Sequence, residues 1–277
     1  MRVQDRTFIV SGGSSGLGLA TTTALAHNGA YVAVFDISEP AKAIVEELPP
    51  NWVKFYQVNI ASTTSVADAV QDTVKWSKET NAPLGGTVCC AGVLAPGKVT
   101  YTLLVLNLSR GTLSDKQQII NSSFEPLALA TIQNAININL VGTLNLIRLL
   151  VSQIAQLPES VDPENESERG VVIMVSSAAA YDGQPGQVAY SATKGAIRSL
   201  TLPLARDLSR YGIRAVSVAP NMFSTAMTAK GTMPEKARHA IERHFEWPER
   251  AGEARRILRV CSRNMSEPDA EWMLFEN

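Results

Sequence analysis

Residues 7–20 read TFIVSGGSSGLGLA, and this stretch decides the fold. The apolar run TFIVS is typical of a buried strand, and the helix-like stretch after it ends in an Asn-Gly pair, which favours a helix C-terminus. Between them, Gly12 would permit a tight turn at positive φ, Gly16 a close approach of the backbone to a pyrophosphate, and Gly18 close packing of helix on sheet. The stretch therefore predicts a dinucleotide site with phosphates at the helix N-terminus, the alternative being a glycine-rich turn without a ligand.

Apolar runs alternate with amphipathic stretches further along the chain. The other strand-like runs are YVAVFDIS, WVKFYQVNI, GGTVCCAG, VVIMVSS and IRAVSVAP. Helices are predicted over residues 41–48, from Ser62 or Thr63 through Val74, and from about Val188 to Tyr211. Alternating strands and helices predict an α/β fold with a doubly wound parallel sheet, the Rossmann fold. Residues 93–130 show no clean period, and the acidic residues 158–169 predict an exposed loop.

Composition excludes several classes of protein. The 277 residues carry a formal net charge of −1, so no basic excess points to nucleic acid or to an anionic membrane. Three cysteines, two of them adjacent and one far away, and three scattered histidines predict no disulfide framework, no metal site and no Ser-His-Asp triad. No cleavable leader and no run of membrane-spanning length are recognised. We expect a soluble globular protein of the cytoplasm or the mitochondrial matrix.

Asp36 ends the second strand-like run, about twenty residues after the glycines. A carboxylate at this position can accept hydrogen bonds from the ribose hydroxyls of an adenosine, and it would repel a 2′-phosphate. Ser14, Ser15 and Ile37 supply no cation to bind such a phosphate. The pattern favours NAD over NADP, and the alternative is an ordinary strand-end residue that begins a turn.

Tyr190 and Lys194 lie four residues apart in a predicted helix and therefore share a face. A phenol is a weak acid at neutral pH unless a nearby cation stabilises the phenolate, and Lys194 would be that cation. Ser177 ends the VVIMVSS run, at the carboxyl end of a strand, where ligands bind in open α/β sheets. Its hydroxyl can hold a substrate oxygen beside the phenol. The alternatives are a solvated Tyr-Lys pair and, for Ser176, a serine that merely terminates the strand.

These residues occur in the order and at the spacing of one known family. The turn at residues 11–18, Asp36, Asn139, Ser177, Tyr190 and Lys194 resemble the short-chain dehydrogenase/reductase family over most of residues 5–252. The resemblance implies one NAD-binding domain at 1–252, followed by a divergent tail at 253–277. It implies interconversion of a secondary alcohol and a ketone, and several segments, GQPGQVAYSATKGAI among them, are most similar to members acting on 3-hydroxyacyl-CoA. Hydroxysteroids and short alcohols stay open, as does a non-catalytic structural or binding subunit that retains NAD binding.

The resemblance also implies roles for individual residues. Tyr190 would be the general base in oxidation and Ser177 would bind the reacting oxygen, so these two contact the substrate. Lys194 would hold the nicotinamide ribose, and Asn139 would fix a water in a proton relay, unless it is a polar helix residue that bonds its own backbone. The implied cofactor-binding residues are Gly12, Ser15, Gly16, Leu17, Gly18, Asp36, Asn59, Ile60, Cys90, Ala91, Gly92, Tyr190, Lys194, Pro220, Phe223 and Thr225.

The chain departs from the family in several places. Asn59 replaces an Asp, Cys89 replaces an Asn, and Asn221 replaces a Gly, while the segment between Gly92 and Asn139 is longer than usual. Cys89 and Cys90 are interpreted as buried apolar filling. The final strand of the family is missing or altered in the tail. The hypothesis is that a splice variant, a frameshift or a gene-model error produced this tail, and the alternative is an unrelated helical tail. The family implies a homo-oligomer, but that strand joins a subunit interface, so its loss argues against one.

Overall fold

The computed structural model describes residues 3–40, 48, 50–94, 118–158, 168–221, 223–224 and 252–253. Its main sheet has six strands in the order β3-β2-β1-β4-β5-β6. They are β1 (Thr7–Ser11), β2 (Tyr31–Asp36), β3 (Val53–Gln57), β4 (Leu84–Cys89), β5 (Gly170–Val175) and β6 (Ile213–Val218). All neighbouring strands are parallel, which confirms the doubly wound sheet. A second parallel pair joins two short strands, β7 (Phe223–Ser224) and β8 (Gly252–Glu253).

Helices connect the strands. They are α1 (Gly16–His27), α2 (Thr63–Glu79), α3 (Leu129–Ala135), α4 (Thr143–Ile154) and α5 (Val188–Ser209). Ser62 caps α2, since its hydroxyl accepts a hydrogen bond from the Ser65 backbone N–H at 3.3 Å. The predicted starts of α2 and α5 are confirmed, and α5 ends two residues before Tyr211.

The core lies on both faces of the sheet because side chains along a strand alternate. On β1, Phe8 and Val10 join one apolar cluster together with Leu25 of α1. Ile9 points to the other face, where it joins a larger cluster that includes buried residues of α2, α4 and α5. Coverage of both faces explains why the inner strands β1, β2 and β5 are nearly continuous apolar runs in the sequence.

The helix that runs from Leu129 to Ile154 is an element that the period of the sequence does not predict. A π-helical segment, Ile136–Gly142, lies between α3 and α4 and interrupts the regular spacing of apolar residues. By length and mean hydropathy (1.4) this helix is long and apolar enough to cross a membrane. The sequence prediction of no run of membrane-spanning length does not include it. Its buried residues, Leu146 and Leu150 among them, pack in the larger core cluster.

The winding of the chain reverses at β1, which has β2 on one side and β4 on the other. The crevice between the carboxyl ends of β1 and β4 is therefore the topological switch point, where open α/β sheets bind ligands. Several predictions lie outside the described residues: the helix over 41–47, most of the inserted segment, the loop over 159–167, and the tail after Glu253 with its altered strand.

Candidate active site

The glycine turn, residues 11–18, connects β1 to α1 at the switch point. Gly12 has φ +68° and Gly16 has φ +53°, both in the left-handed region that favours glycine. A Cβ atom at Gly18 would overlap the carbonyl oxygen of Gly12. The turn therefore requires all three glycines, and the close approach at Gly18 is to the turn itself.

The N-terminus of α1 is open to an anion. Ser15 stands at the N-cap, but no side chain of the described residues caps the helix there. The Ser14 hydroxyl oxygen is buried, and among the described residues it has no hydrogen-bond partner. Uncapped N–H groups at the positive end of a helix are a ready site for a phosphate. These features fit a dinucleotide, whose pyrophosphate Ser15, Gly16 and Leu17 would hold.

Asp36 links the end of β2 to the glycine turn. Its Oδ2 accepts a hydrogen bond from the Ser14 backbone N–H at 3.1 Å, and its Oδ1 accepts one from the Ser38 N–H at 3.3 Å. The bond from Ser38 forms the turn expected if Asp36 is an ordinary strand-end residue. The bond from Ser14 positions the carboxylate beside the glycine turn. Asp36 thus begins a turn after β2 and also contacts the glycine turn.

The loop after β4 forms the other wall of the crevice. The Cys90 N–H donates to the Ser11 carbonyl oxygen at 3.0 Å, and the Ala91 N–H donates to Ser11 Oγ at 3.3 Å. A Cβ atom at Gly12 would lie 2.8 Å from the Ala91 nitrogen. The two loops therefore pack backbone against backbone, which brings residues 90–92 next to the glycine turn.

Cys89 is buried beneath this loop. Its thiol lies 3.8 Å from Thr87 Oγ1, and burial raises its pKa to about 12. The thiol is therefore protonated and unreactive at neutral pH, in agreement with its interpretation as buried filling. Cys90 is half-buried.

Asn139 lies in the π-helical segment and is only 1% exposed. Its Oδ1 accepts from the Val93 N–H at 2.8 Å, and its Nδ2 donates to the Val93 carbonyl oxygen at 2.9 Å and to Thr193 Oγ1 at 3.1 Å. The idea that Asn139 bonds only its own backbone is wrong for the side chain. Both amide N–H groups are used, so a water held by Asn139 would have to donate to one of its oxygen atoms.

Lys194 meets Tyr190 at the mouth of the crevice. The Lys194 side chain is largely buried, and its Nζ donates to the Val175 carbonyl oxygen at 2.7 Å. The same Nζ lies 5.7 Å from the centroid of the half-buried Tyr190 ring. A Cβ atom at Gly92 would lie 3.6 Å from Lys194 Nζ and 3.3 Å from Asn139 Oδ1. The structure thus brings these four predicted residues together, and the solvated Tyr-Lys pair is excluded.

Ser177 follows β5 and begins the short 3₁₀ turn Ala178–Ala180. Its Oγ accepts from the Ala179 N–H at 3.2 Å, and the turn packs against α5. The Pro220 carbonyl oxygen, just beyond β6, accepts from the Ala178 N–H at 2.9 Å. Pro220 therefore fixes the backbone next to Ser177.

The other predicted cofactor-binding residues lie after β3 and after β6. Asn59 is exposed after β3, where its side-chain oxygen accepts from the Ala61 N–H at 3.1 Å. Ile60 is buried, and its carbonyl oxygen would lie 2.8 Å from a Cβ atom at Gly142. Phe223 lies in β7, described for its backbone alone, and Thr225 lies outside the described residues.

Sequence reasoning missed two residues that organise this site. Thr193 accepts from Asn139 and donates from Oγ1 to the Tyr190 carbonyl oxygen at 2.8 Å. Ser176, interpreted as a strand terminator, donates from Oγ to the Lys194 carbonyl oxygen at 2.8 Å. The only sequence signal for Ser176 is the pair of serines at the end of a strand, and nothing in the sequence predicts its hydrogen-bond partner.

Comparison with known proteins identifies the family of the chain. The family model for short chain dehydrogenase matches residues 6–236. The chain belongs to the short-chain dehydrogenase family. Members of this family are NAD(P)-dependent oxidoreductases, and the α/β sheet and the crevice described above are those of such an enzyme.

Individual relatives share this assignment over most of their length. The chain is 36% identical to the 3-hydroxyacyl-CoA dehydrogenase type-2 of Drosophila melanogaster over 91% of this chain and 87% of that protein. It is 34% identical to the human protein of the same name, over 91% of this chain and 85% of that one. A crystal structure of the Mycobacterium avium 3-hydroxyacyl-CoA dehydrogenase type-2 superimposes with a TM-score of 0.76 at 27% identity, covering 95% and 91% of the two chains.

Proposed function

We propose that this short-chain dehydrogenase uses NAD to interconvert a secondary alcohol and a ketone, with 3-hydroxyacyl-CoA and 3-oxoacyl-CoA as the substrate pair. The observation that carries the proposal is the position of Lys194 Nζ, 5.7 Å from the Tyr190 ring and adjacent to Gly92 at the switch point. Relatives above 30% identity named for 3-hydroxyacyl-CoA support the substrate class.

In this proposal Tyr190 moves the proton. Its phenolate takes the hydroxyl proton of the alcohol during oxidation, and its phenol returns a proton to the carbonyl oxygen during reduction. The Lys194 ammonium stabilises the phenolate electrostatically, because it lies close to the half-buried Tyr190 ring and is itself largely removed from water, where opposite charges interact more strongly. When bound, the nicotinamide supplies the acceptor for the hydride.

Ser177 and Asn139 assist the same proton transfer. The Ser177 hydroxyl already accepts from the Ala179 N–H, which leaves its own hydrogen free to be donated to the reacting oxygen. Asn139 holds the Val93 loop and α5 at a fixed separation through its two amide N–H groups. A water bound to an Asn139 oxygen would pass the proton from the site toward solvent.

The preference for NAD over NADP is part of the proposal. Asp36 is anchored by the Ser14 N–H, so its carboxylate stays beside the turn that would hold the adenosine. A 2′-phosphate in this place would meet like charge. Asp36 would instead accept from the ribose hydroxyls, with Asn59 and Ile60 beside the adenine.

The test is NADH formation from 3-hydroxybutyryl-CoA, longer 3-hydroxyacyl-CoA substrates and hydroxysteroids. Tyr190→Phe removes the phenol oxygen and is expected to lower kcat about 10²- to 10⁴-fold while NADH still binds. Tyr211→Phe, two residues beyond the C-terminal end of α5, is the matched control and should keep the wild-type rate.

Each outcome separates the candidate functions. Equal turnover by wild type and Tyr190→Phe would contradict the catalytic role of Tyr190, whereas NADH binding without turnover of any substrate would favour a binding subunit. Turnover of hydroxysteroids or short alcohols alone would retain the mechanism and replace the substrate class.

A further inference from the structure

We propose that Ser176 is a positioning residue that holds Lys194 in place for the reaction; this inference rests on the role proposed for Lys194 above. Ser176 is 2% exposed and lies between the end of β5 and α5, one residue before Ser177. It does not face the crevice as a ligand. Its effect would pass through the lysine alone.

The contacts of Ser176 differ from those of a serine that merely ends a strand. Such a serine could bond its own strand or water, but Ser176 Oγ reaches across 18 residues of sequence to the Lys194 carbonyl oxygen, at 2.8 Å. Its backbone N–H donates to the Val218 carbonyl oxygen, also at 2.8 Å. The hydroxyl is therefore fixed by β6 on one side and directed at α5 on the other.

Two consecutive residues, Val175 at the end of β5 and Ser176 just after it, contact the two ends of the same lysine. The Val175 carbonyl oxygen accepts from Lys194 Nζ at 2.7 Å, and Ser176 Oγ donates to the Lys194 main chain at 2.8 Å. A lysine side chain is long and flexible, so attachment at one end leaves many rotamers open. The Val175 bond holds the ammonium, and the Ser176 bond ties the turn of α5 that carries the lysine to the end of the strand, so together they fix the direction of the ammonium relative to Tyr190.

Loss of the hydroxyl would remove the bond that ties this turn of α5 to the residue after β5, so the helix could shift against the strand and move the ammonium. A displacement of about 1 Å in a catalytic group can cost up to about 10²-fold in rate. We expect Ser176→Ala to lower kcat about tenfold and to weaken NADH binding about threefold, with a smaller change in the KM for the acyl substrate. Removal of one buried hydrogen bond should also lower the Tm by about 2–4 °C.

The experiment needs a control for stability alone. Thr7→Val removes another buried hydroxyl, whose 2.7 Å bond to the Ala82 carbonyl oxygen lies at the opposite end of the sheet. It should lower the Tm similarly and leave kcat within about twofold. Ser176→Thr, which keeps a hydroxyl, should recover most of the lost rate if it folds, and kcat, KM and the NADH dissociation constant are measured for each variant.

A double-mutant cycle identifies the residue through which Ser176 acts. In a Lys194→Met background, Ser176→Ala should change the remaining rate less than twofold, since the group it positions is gone. A full tenfold effect in that background, or a wild-type kcat for Ser176→Ala, would overturn the inference. If Tyr190→Phe is inactive while Ser176→Ala is normal, this inference fails and the proposed function stands; if wild type itself turns over no substrate, the proposed function fails first.

Discussion

Asn139→Ala tests whether one buried amide joins the loop after β4 to the helix that carries Tyr190. The side chain makes three hydrogen bonds, two to the Val93 backbone and one to Thr193, at 2.8–3.1 Å. At about 1 kcal/mol for each bond, their loss lowers the free energy of unfolding by roughly 3 kcal/mol. Thr193 is 1% exposed and Val93 is half-buried, so water replaces the amide only in part.

Asn145→Ala is the matched control because it lies in the same continuous helix. Asn145 is 7% exposed and has one described side-chain bond, from Arg148 Nε at 3.0 Å. Its replacement should cost about 1 kcal/mol, and both substitutions share the same gain in helix propensity. The expected difference of about 2 kcal/mol between the two variants is therefore free of that term.

Urea unfolding followed by far-UV circular dichroism and tryptophan fluorescence measures both variants. Coincident transitions by the two probes would justify a two-state free energy. If Asn139→Ala loses no more stability than Asn145→Ala, the three bonds do not stabilise the fold as described. If Asn139→Ala loses the full amount and also loses NADH formation, the amide serves both fold and site.

Three further predictions concern single positions. Burial raises the pKa of the Cys89 thiol from 9.0 to about 12, so the thiol ionises first in the unfolded state and the free energy of unfolding falls as pH rises from about 9 to about 12. In urea titrations, Cys89→Ala should remove up to about 1.4 kcal/mol per pH unit of this loss. The pKa of Tyr56 is raised from 10.0 to about 12, so Tyr56→Phe should change the pH dependence of stability only above pH 10. Gly12 has φ +68°, so Gly12→Ala should abolish NADH binding measured by fluorescence. Gly195→Ala, whose added Cβ atom would have nothing within 4 Å, should leave NADH binding intact and raise the free energy of unfolding by about 0.5–1 kcal/mol. Equal NADH binding by the two variants would contradict the geometry of the turn. Asp36→Ala should lower the ratio of kcat/KM for NAD over NADP at least about tenfold, and an unchanged ratio would place the ribose elsewhere.

The parts of the fold that follow from local patterns could be predicted from the sequence. The inner strands β1, β2 and β5 are nearly continuous apolar runs because both faces of the sheet are covered there, and Gly12 and Gly16 mark the turn because only glycine adopts positive φ there without strain. The helix from Leu129 to Ile154 is predicted only by the alternative that Asn139 is a polar helix residue. Its π-helical segment, Ile136–Gly142, departs from the 3.6-residue period, whereas the buried residues of α4 keep that period.

The candidate site was predictable where a side chain acts by its own chemistry and position. Asp36 and the Tyr190-Lys194 pair belong to this group, because strand ends and helical spacing place them. The partners of Asn139 and Ser176 could not be predicted, because Thr193 and the Lys194 carbonyl oxygen reach them only through the packing of α5 on the sheet. A hydroxyl or an amide shows in the sequence what it can donate, and only the tertiary structure shows to whom.

The contact that the structure describes for the Lys194 ammonium is with an uncharged peptide group of β5. A carboxylate counter-ion in that place would neutralise the lysine and cancel most of its field at the phenol. A carbonyl dipole restrains the cation and leaves nearly the whole unit charge to act on its neighbour. Added salt screens exposed ion pairs but reaches a buried ammonium poorly, so the turnover rate should change little with ionic strength.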